Sequence, residues 1–363
     1  MKIVLYANSF LPNRGGGEYY NYDLANYLAL KGESVYVITP IPGKDYIKFN
    51  FNVIRTDSRI LRSLPEIISA IKAIKPDIVH ISGPTPLDYV VLPLLKFLRI
   101  PSLMTYHADF PSRIGRALNY AMFIFQYCVE QILVQTDGDR KKLIKRGVRE
   151  GKLVKLNFNG VDPNIYNIIN HDSPRDIDIL FIGRMDKAHS YKGYLELLDI
   201  LSQIKKDFNF QPLVYVVGGG DKLALFLDKA KVNGLFLRIF ENIDNKELVS
   251  ILNRSKLLIL PSTSYSEGFG RVVLESVFCG AVPVVSKYAG SSEIISEFNC
   301  GPIIDPFDYK ESSRKIADLL LNPDKLKEFQ SNCSKVIKNV EFSINWTVDK
   351  TMQIYHNILR KNS

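Results

Sequence analysis

The chain has 363 residues, 46% hydrophobic and 23% charged, with a formal net charge of +9. That length holds two domains of ordinary size and the composition is that of a globular protein with a sizeable core. It excludes a membrane-spanning class, since no apolar run reaches the roughly 18 residues that a spanning helix needs.

The charge is uneven. Residues 1–165 hold 22 Lys and Arg against 14 Asp and Glu, a balance of +8, and residues 166–363 hold 25 against 24, a balance of +1. The densest basic block is Arg140, Lys141, Lys142, Lys145 and Arg146, continued by Arg149, Lys152 and Lys155. It reads either as a solvated helix face or as contact with an anionic surface. No nucleic-acid motif accompanies it, which favours anionic lipid over nucleic acid. Cys128, Cys279, Cys300 and Cys333 lack metal-ligand spacing and read as free thiols in a reducing compartment, so the cytoplasm is expected. Residues 1–6 read as a first strand rather than a leader.

In chain order, strands are expected at 3–7, 34–39, 77–81, 102–106, 132–135 and 153–156. Gly15, Gly16 and Gly17 follow the first strand. A helix follows with Tyr20, Leu24, Tyr27 and Leu28 at helical spacing, closed by Gly32. A glycine loop there lets backbone approach a phosphate or sugar closely, although such turns often serve chain reversal alone. Tyr106-His107-Ala108-Asp109 stands at a strand's carboxyl end. Segment 114–128 carries Leu118, Met122, Phe123, Ile124, Phe125 and Tyr127 beside Arg113 and Arg116. It reads as core, or as a helix lying on a membrane surface. A linker is expected at 163–176, rich in Asn, Asp and Pro.

The second half repeats the pattern, with strands at 177–182, 213–217, 235–240, 257–260 and 282–285. Alternating strands and helices imply right-handed βαβ units and parallel sheets. Asp176 and Asp178 form an acidic pair at a strand entry, better read as solvated than as metal ligands. Gly183-Arg184 ends one strand and Lys192-Gly193 opens the next helix, so two cations would stand beside one pocket and neutralise a diphosphate. Gly218, Gly219 and Gly220 form another strand–glycine–helix crossover. After the apolar run 257–260 comes Glu267-Gly268-Phe269-Gly270-Arg271-Val272-Val273-Leu274-Glu275, leading into a short amphipathic helix that stops at Gly280. Open α/β sheets bind ligands at such crossovers. Glu267 in the loop, and Glu275 about two turns into the helix, can address two parts of one ligand.

The two carboxylates, the Gly-Phe-Gly insert, Pro261-Ser262 before it and Cys279–Val285 after it resemble the motif of the retaining glycosyltransferases of glycosyltransferase family 4. The resemblance extends over nearly the whole chain. It implies the GT-B architecture: two Rossmann-like doubly wound domains facing each other across a cleft. The domains would be 1–165 for the acceptor and 166–344 for the nucleotide sugar, with a helix at 345–363, bearing the only Trp (Trp346), returning to the first.

It also implies roles. Arg184 and Lys192 would meet the diphosphate. The segment between them is longer than the commonest version, which leaves Lys187 as the other lysine. Glu267 would lie near the transferred sugar, with Gly268, Phe269 and Gly270 beside it, and Glu275 would bind the ribose hydroxyls. Gly218, Gly219 and Ile243, in Phe240-Glu241-Asn242-Ile243, would line the nucleotide pocket. His107 would contact the donor sugar, and Gly15 and Gly16 would meet donor and acceptor. Asn159-Gly160-Val161-Asp162 resembles a structural segment. No cofactor and no metal are implied.

The expected activity is metal-independent transfer of a hexose, with retention, from a GDP-mannose or UDP-hexose type donor to a sugar or lipid-linked acceptor hydroxyl. It would occur in the cytoplasm or peripherally on the inner face of the membrane. A nucleotide-sugar epimerase shares the architecture but lacks the two-carboxylate arrangement. A non-catalytic binding module would not need every charged position of the set.

Overall fold

Apolar runs bounded by helices build two all-parallel sheets. The computed structural model describes residues 1–362 except 44–47, 58, 110–112, 158 and 171–173. The chain divides into two units: residues 1–160 with 343–363, and residues 161–342.

In the first unit the strands are β1 (Lys2–Ala7), β2 (Ser34–Thr39), β3 (Asn52–Arg55), β4 (Ile78–Gly83), β5 (Ser102–Tyr106), β6 (Gln131–Val134) and β7 (Leu153–Lys155). They lie in the order β3-β2-β1-β4-β5-β6-β7. The helices are α1 (Gly16–Leu30), α2 (Ile60–Ile74), α3 (Asp88–Phe97), α4 (Arg113–Phe125) and α5 (Asp137–Lys145). In α1, Tyr20, Leu24 and Leu28 are buried and Tyr27 half-buried, the stripe its spacing requires. Burying each such apolar side chain is worth about 1.5–3 kcal/mol. Gly32 ends that turn at φ +87.

The second unit has β8 (Ile177–Ile182), β9 (Val214–Val217), β10 (Leu237–Phe240), β11 (Ser255–Leu260), β12 (Val282–Ser286) and β13 (Ile303–Ile304), ordered β10-β9-β8-β11-β12-β13. Its helices are α6 (Tyr194–Phe208), α7 (Leu223–Val232), α8 (Asn245–Arg254), α9 (Val272–Phe278), α10 (Ser292–Phe298), α11 (Tyr309–Leu321) and α12 (Pro323–Lys338). The last helix, α13 (Ile344–Asn362), packs Ile344, Val348, Tyr355 and Ile358 into the first unit's core beside Tyr20 and Leu24 of α1.

Strand order reverses between β1 and β4 in the first unit and between β8 and β11 in the second. The loops leaving those strand pairs diverge to opposite faces, which opens a crevice at their carboxyl ends. Gly15 follows β1, while Arg184 follows β8 and Glu267 follows β11.

Two short strands have no counterpart in the sequence reading. β3 is an edge strand of half-buried and exposed residues, and β13 has only two residues. The helix after Glu267 is also different from the amphipathic element expected. Val273 through Phe278 of α9 are all buried, because α9 is covered on its outer side by α12 and α8. Glu275 stands in its first turn rather than about two turns in.

Candidate functional site

The second unit brings four crossover loops together by backbone contact. Gly183 donates its N–H to the Val217 carbonyl (3.0 Å), Gly218 donates to Phe240 (2.9 Å) and Met185 to Gly219 (2.8 Å). Gly218 has φ +144, and a Cβ there would lie 2.0 Å from the Gly183 carbonyl oxygen. Gly220, at φ +147, would place a Cβ 2.5 Å from the Met185 oxygen. The glycines after β9 therefore let one loop lie directly on another. Only at Gly219 would the obstacle be a side chain, the carboxylate of exposed Glu241. Asn242 takes φ +56 and turns the chain so that Ile243 packs, half-buried, against the core.

Between Arg184 and Lys192 the chain forms a 3₁₀ segment over Lys187–Lys192, capped by Asp186, whose side chain accepts the His189 N–H. The Arg184 guanidinium donates to His189 Nε2 (2.6 Å), so Nδ1 carries the proton donated to Asp186 Oδ1 (2.7 Å). This relay steadies an arginine that stays 43% exposed in its side chain at the carboxyl end of β8. Asp186 and His189 have no assigned role in the reading of the sequence. Asp-x-x-His before a helix carries a capping signal that could have found them.

Gly193 ends the segment at φ +71, where a Cβ would lie 1.9 Å from the Pro261 carbonyl oxygen. Thr263 N–H donates to the Tyr191 carbonyl across the same junction (2.7 Å). The loops after β8 and β11 are thus pressed together, as adjacency at the reversal point demands. The consequence is an ion pair: Lys192 Nζ lies 2.8 Å from Glu267 Oε2, with side chains 17% and 8% exposed. Ser262 Oγ donates to the same oxygen at 3.4 Å. Lys187 is exposed, and its backbone N–H donates to Asp221 instead.

The motif loop is pinned from behind. Gly290 and Ser291 donate to the carbonyls of Gly268 (3.0 Å) and Phe269 (3.1 Å). The Phe269 ring is buried in the core, where it anchors the loop. Gly270 takes φ +81, and a Cβ there would lie 2.5 Å from Leu260 Cδ2. Glu275, buried, lies 3.1 Å from Nε of Arg271, buried too, one turn earlier. Among the described residues no cluster of three His, Cys, Asp or Glu could hold a metal. Asp176 pairs with Arg254 through two hydrogen bonds (2.9 and 2.6 Å), and Asp178 holds Lys256 (2.7 Å).

In the first unit, His107 follows β5 and its Nε2 lies 2.8 Å from Ser82 Oγ. The Tyr20 ring meets it edge-on at 4.9 Å. Burial pulls the His107 pKa down to about 4, so the imidazole is neutral at pH 7 and can share a hydrogen bond with a hydroxyl. Tyr20 OH bonds Thr105, Thr105 bonds His80 (2.6 Å), and His80 bonds Tyr355 of α13 (2.6 Å). Gly15 is extended, at φ 171, and its carbonyl accepts the Tyr19 N–H as α1 begins. A Cβ at Gly15 would lie 2.5 Å from a Glu18 carboxylate oxygen, and one at Gly17 would lie 3.0 Å from Ser9 Oγ. Here the glycines make room for side chains of the same loop, with Gly16 exposed beside them. At the end of the next segment, Gly160 packs against the Ser343 carbonyl, and Asn159 donates to Gln135.

Asp88, at the start of α3, is a buried carboxyl that carries no signal in the sequence. It accepts from Asn8 Nδ2 (2.9 Å) and from the Thr85 N–H (2.5 Å), and burial pushes its pKa up to about 7. The folded state therefore holds a proton that the unfolded chain releases near pH 4. Asp88 should lower stability as pH rises from about 4 to 7 and cost a constant amount above, by up to about 1.4 kcal/mol for each tenfold change in proton affinity. Asp88→Asn should remove that part of the slope. Denaturant midpoints measured from pH 5 to 8 check it, and an unchanged slope would place the proton elsewhere.

Half of the basic block is paired within the unit. Arg146 makes a bidentate pair with Asp109 (2.6 and 2.7 Å), and Lys142 lies 2.8 Å from Asp139. Arg140 pairs with Glu150 and Lys155 with Asp137. Asp109 is thereby a structural partner of the α5 end. The side chains of Arg113, Ile114, Arg116 and Leu118 lie outside the described residues, whereas Phe123, Ile124 and Tyr127 are exposed and Met122 is core.

Comparison with known families and structures accords with this geometry. The family described as Glycosyl transferases group 1 matches residues 168–336, and the one described as Glycosyltransferase Family 4 matches residues 14–165. The sulfoquinovosyl transferase SQD2 of Arabidopsis thaliana is 25% identical over 81% of this chain. A human phosphatidylinositol N-acetylglucosaminyltransferase component is 21% identical, again over 81% of the chain. The matches cover 61% and 64% of those two proteins, less than two thirds of either length. Among solved structures, Anabaena Alr3699/HepE in complex with UDP and glucose superposes with a TM-score of 0.82. It covers 98% of this chain and 100% of its own, at 18% identity. The likeness shows the fold: two parallel sheets with flanking helices, the GT-B class.

Proposed function

The chain belongs to the group 1 glycosyltransferases of glycosyltransferase family 4, and from that premise we propose that it moves a hexose from a nucleotide-diphosphate sugar to an acceptor hydroxyl with retention. The observation that carries this reading is the Lys192–Glu267 pair at the β8/β11 reversal point, with Arg184 at the neighbouring strand end. Two cations at one carboxyl edge suit a diphosphate leaving group, whose developing charge they stabilise. Glu267, buried and fixed by Lys192 and Ser262, would stand by the sugar, and Glu275 would accept the ribose hydroxyls. The backbone of Gly218, Gly219 and Ile243 would line the nucleotide, and His107 would bond a donor hydroxyl. Gly15 and Gly16 would border the acceptor in the first unit, and residues 166–344 would bind the donor.

Because Arg184 and Lys192 supply the positive charge, the reaction would need no metal ion. Glu267 is already engaged by a cation, which suits same-face attack, in which the departing phosphate takes the acceptor proton. HepE was solved with UDP and glucose, which makes UDP-hexose the first donor to test and GDP-mannose the second. A lipid-linked acceptor is favoured over a soluble sugar by the human relative, named for phosphatidylinositol. The site of action would be the inner face of a membrane, reached peripherally from the cytoplasm. No helix among the described residues is long and apolar enough to cross one.

A panel of UDP- and GDP-sugars, read by calorimetry and by the anomeric configuration of the product, tests the reading. One donor binding tightly, with its anomeric configuration kept and activity intact in EDTA, is expected. An inverted product or an epimerised donor would defeat it, and loss in EDTA restored by Mg²⁺ would defeat the metal-independent part.

A further inference from the structure

The first unit has a cavity of about 750 Å³ at the edge of its sheet opposite His107 and Gly15, among the amino ends of β6 and β7 and the last turns of α13. Arg149, Lys152, Arg360 and Lys361 line it, against the single carboxylate of Glu130. Glu130 is itself engaged by a fifth cation, Lys96, at 3.5 Å. Lys152 donates to the Val129 carbonyl (2.6 Å). Its pKa is pulled below the ordinary lysine value by burial, an effect that Glu130 opposes and that Lys96 and Arg149 reinforce. Cations gathered this closely leave an excess of positive charge that an anion relieves.

Arg149 joins this cavity to a second feature. Its guanidinium lies over the Tyr127 ring at 5.2 Å, and Arg146 lies over Tyr120 at 5.4 Å. Tyr120, Phe123, Ile124 and Tyr127 are 63%, 49%, 63% and 49% exposed. Their spacing puts them on one face of α4 and the turn that follows. Arg149 N–H donates to Gln126 Oε1 (2.8 Å), and Gln126 donates to the Gly147 carbonyl (3.2 Å), which locks the stripe to the cationic rim. Aromatic and branched side chains facing solvent beside arginines match the polar–apolar boundary of a lipid surface, where rings sit at headgroup depth.

We infer that this face docks onto anionic phospholipid, with headgroup phosphates entering the cavity lined by Arg149, Lys152, Arg360 and Lys361 and the Tyr120–Tyr127 stripe resting at the acyl boundary. The inference rests on and deepens the membrane-surface part of the proposed function, and it moves the contact away from Arg140–Arg146. That block's charges are mostly spent on Asp109, Asp139 and Glu150.

Co-sedimentation of the full chain with phosphatidylglycerol-containing vesicles tests it, against vesicles of phosphatidylcholine alone. Binding is expected at low salt only to the anionic vesicles, and it should weaken as salt rises. Neutralising one cation near an anionic leaflet costs roughly fivefold in partitioning, so Arg149→Gln with Arg360→Gln should lower binding roughly 25-fold. Tyr120→Ser with Ile124→Ser should lower it at unchanged circular dichroism. Tyr127→Trp in a Trp346→Phe background gives a readout that tolerates weak folding of the other variants: its emission should shift to the blue on vesicle addition. Equal binding to neutral vesicles, no blue shift, or full binding by the two-arginine variant would overturn the inference. So would saturation of the cavity by glycerol phosphate without vesicle binding, which would make it a soluble-anion site. Donor binding, measured separately by calorimetry, reports on the transferase reading alone, so the two can fail independently.

Discussion

Lys192→Ala is expected to lower kcat by roughly 100-fold or more, the usual cost of losing one preorganised charge contact to a developing anion. The structure complicates the experiment in a useful way. Lys192 is the ion-pair partner of Glu267, and Glu267 is only 8% exposed. Removing the lysine leaves that carboxylate buried and unpaired, which costs about 3–5 kcal/mol of stability. Loss of turnover alone would therefore not separate chemistry from folding. Lys192→Met combined with Glu267→Gln removes both charges at similar volume, and most of the stability should return while turnover stays low. Steady-state kinetics with thermal unfolding on the single and double variants decides the matter. Near-normal turnover in Lys192→Ala with collapse in Lys187→Ala would transfer the role to Lys187. Arg184→Ala should show a comparable rate loss with little change in stability, since its partners His189 and Asp186 are half-buried and it is 43% exposed itself.

Much of this architecture is legible in the residues, and the reason is physical. Buried parallel strands must be apolar throughout, so runs such as Leu257–Leu260 announce themselves. Helices between them show their stripes, as α1 does with Tyr20, Leu24 and Leu28. Short edge strands carry little such signal: β3 is half-polar and β13 lasts two residues.

What pattern alone does not show is adjacency. That β8 lies beside β11 is a fact of strand order, and it brings Lys192 to Glu267 across 75 residues. The same holds for charge. Arg140 through Arg146 read as a free basic face because Asp109 and Glu150 pair with them only after folding. The cationic cavity escapes a reading of the residues for the converse reason, since Arg149 and Arg360 meet only when α13 returns to the first unit. Glycines carry two signals at once. Gly218 and Gly220 suggest ligand approach, yet each is also required where one loop's backbone lies on another's.

Glu275→Ala is expected to weaken binding of the nucleotide by roughly 10- to 100-fold, since a charged hydrogen bond is worth about 1.5–3 kcal/mol. The buried neighbour Arg271, 3.1 Å from the Glu275 carboxylate, shapes the interpretation. One carboxylate oxygen serves that guanidinium, so a ribose hydroxyl would draw on the remaining acceptor capacity of the same group. Alanine removes both interactions and takes an ion-pair partner away from the buried Arg271. A stability loss of about 3–5 kcal/mol should accompany the loss of affinity. Glu275→Gln keeps one acceptor oxygen at the same position, so it should fold better than the alanine variant yet still bind nucleotide less well than the parent. A deoxyribonucleotide separates the effects further. If Glu275 receives the ribose hydroxyls, the parent should prefer the ribonucleotide and Glu275→Gln should lose part of that preference. Calorimetry with both nucleotides on both proteins gives the coupling directly. An unchanged preference, with affinity falling only in step with stability, would leave Glu275 as the partner of Arg271 and place ribose recognition on other groups.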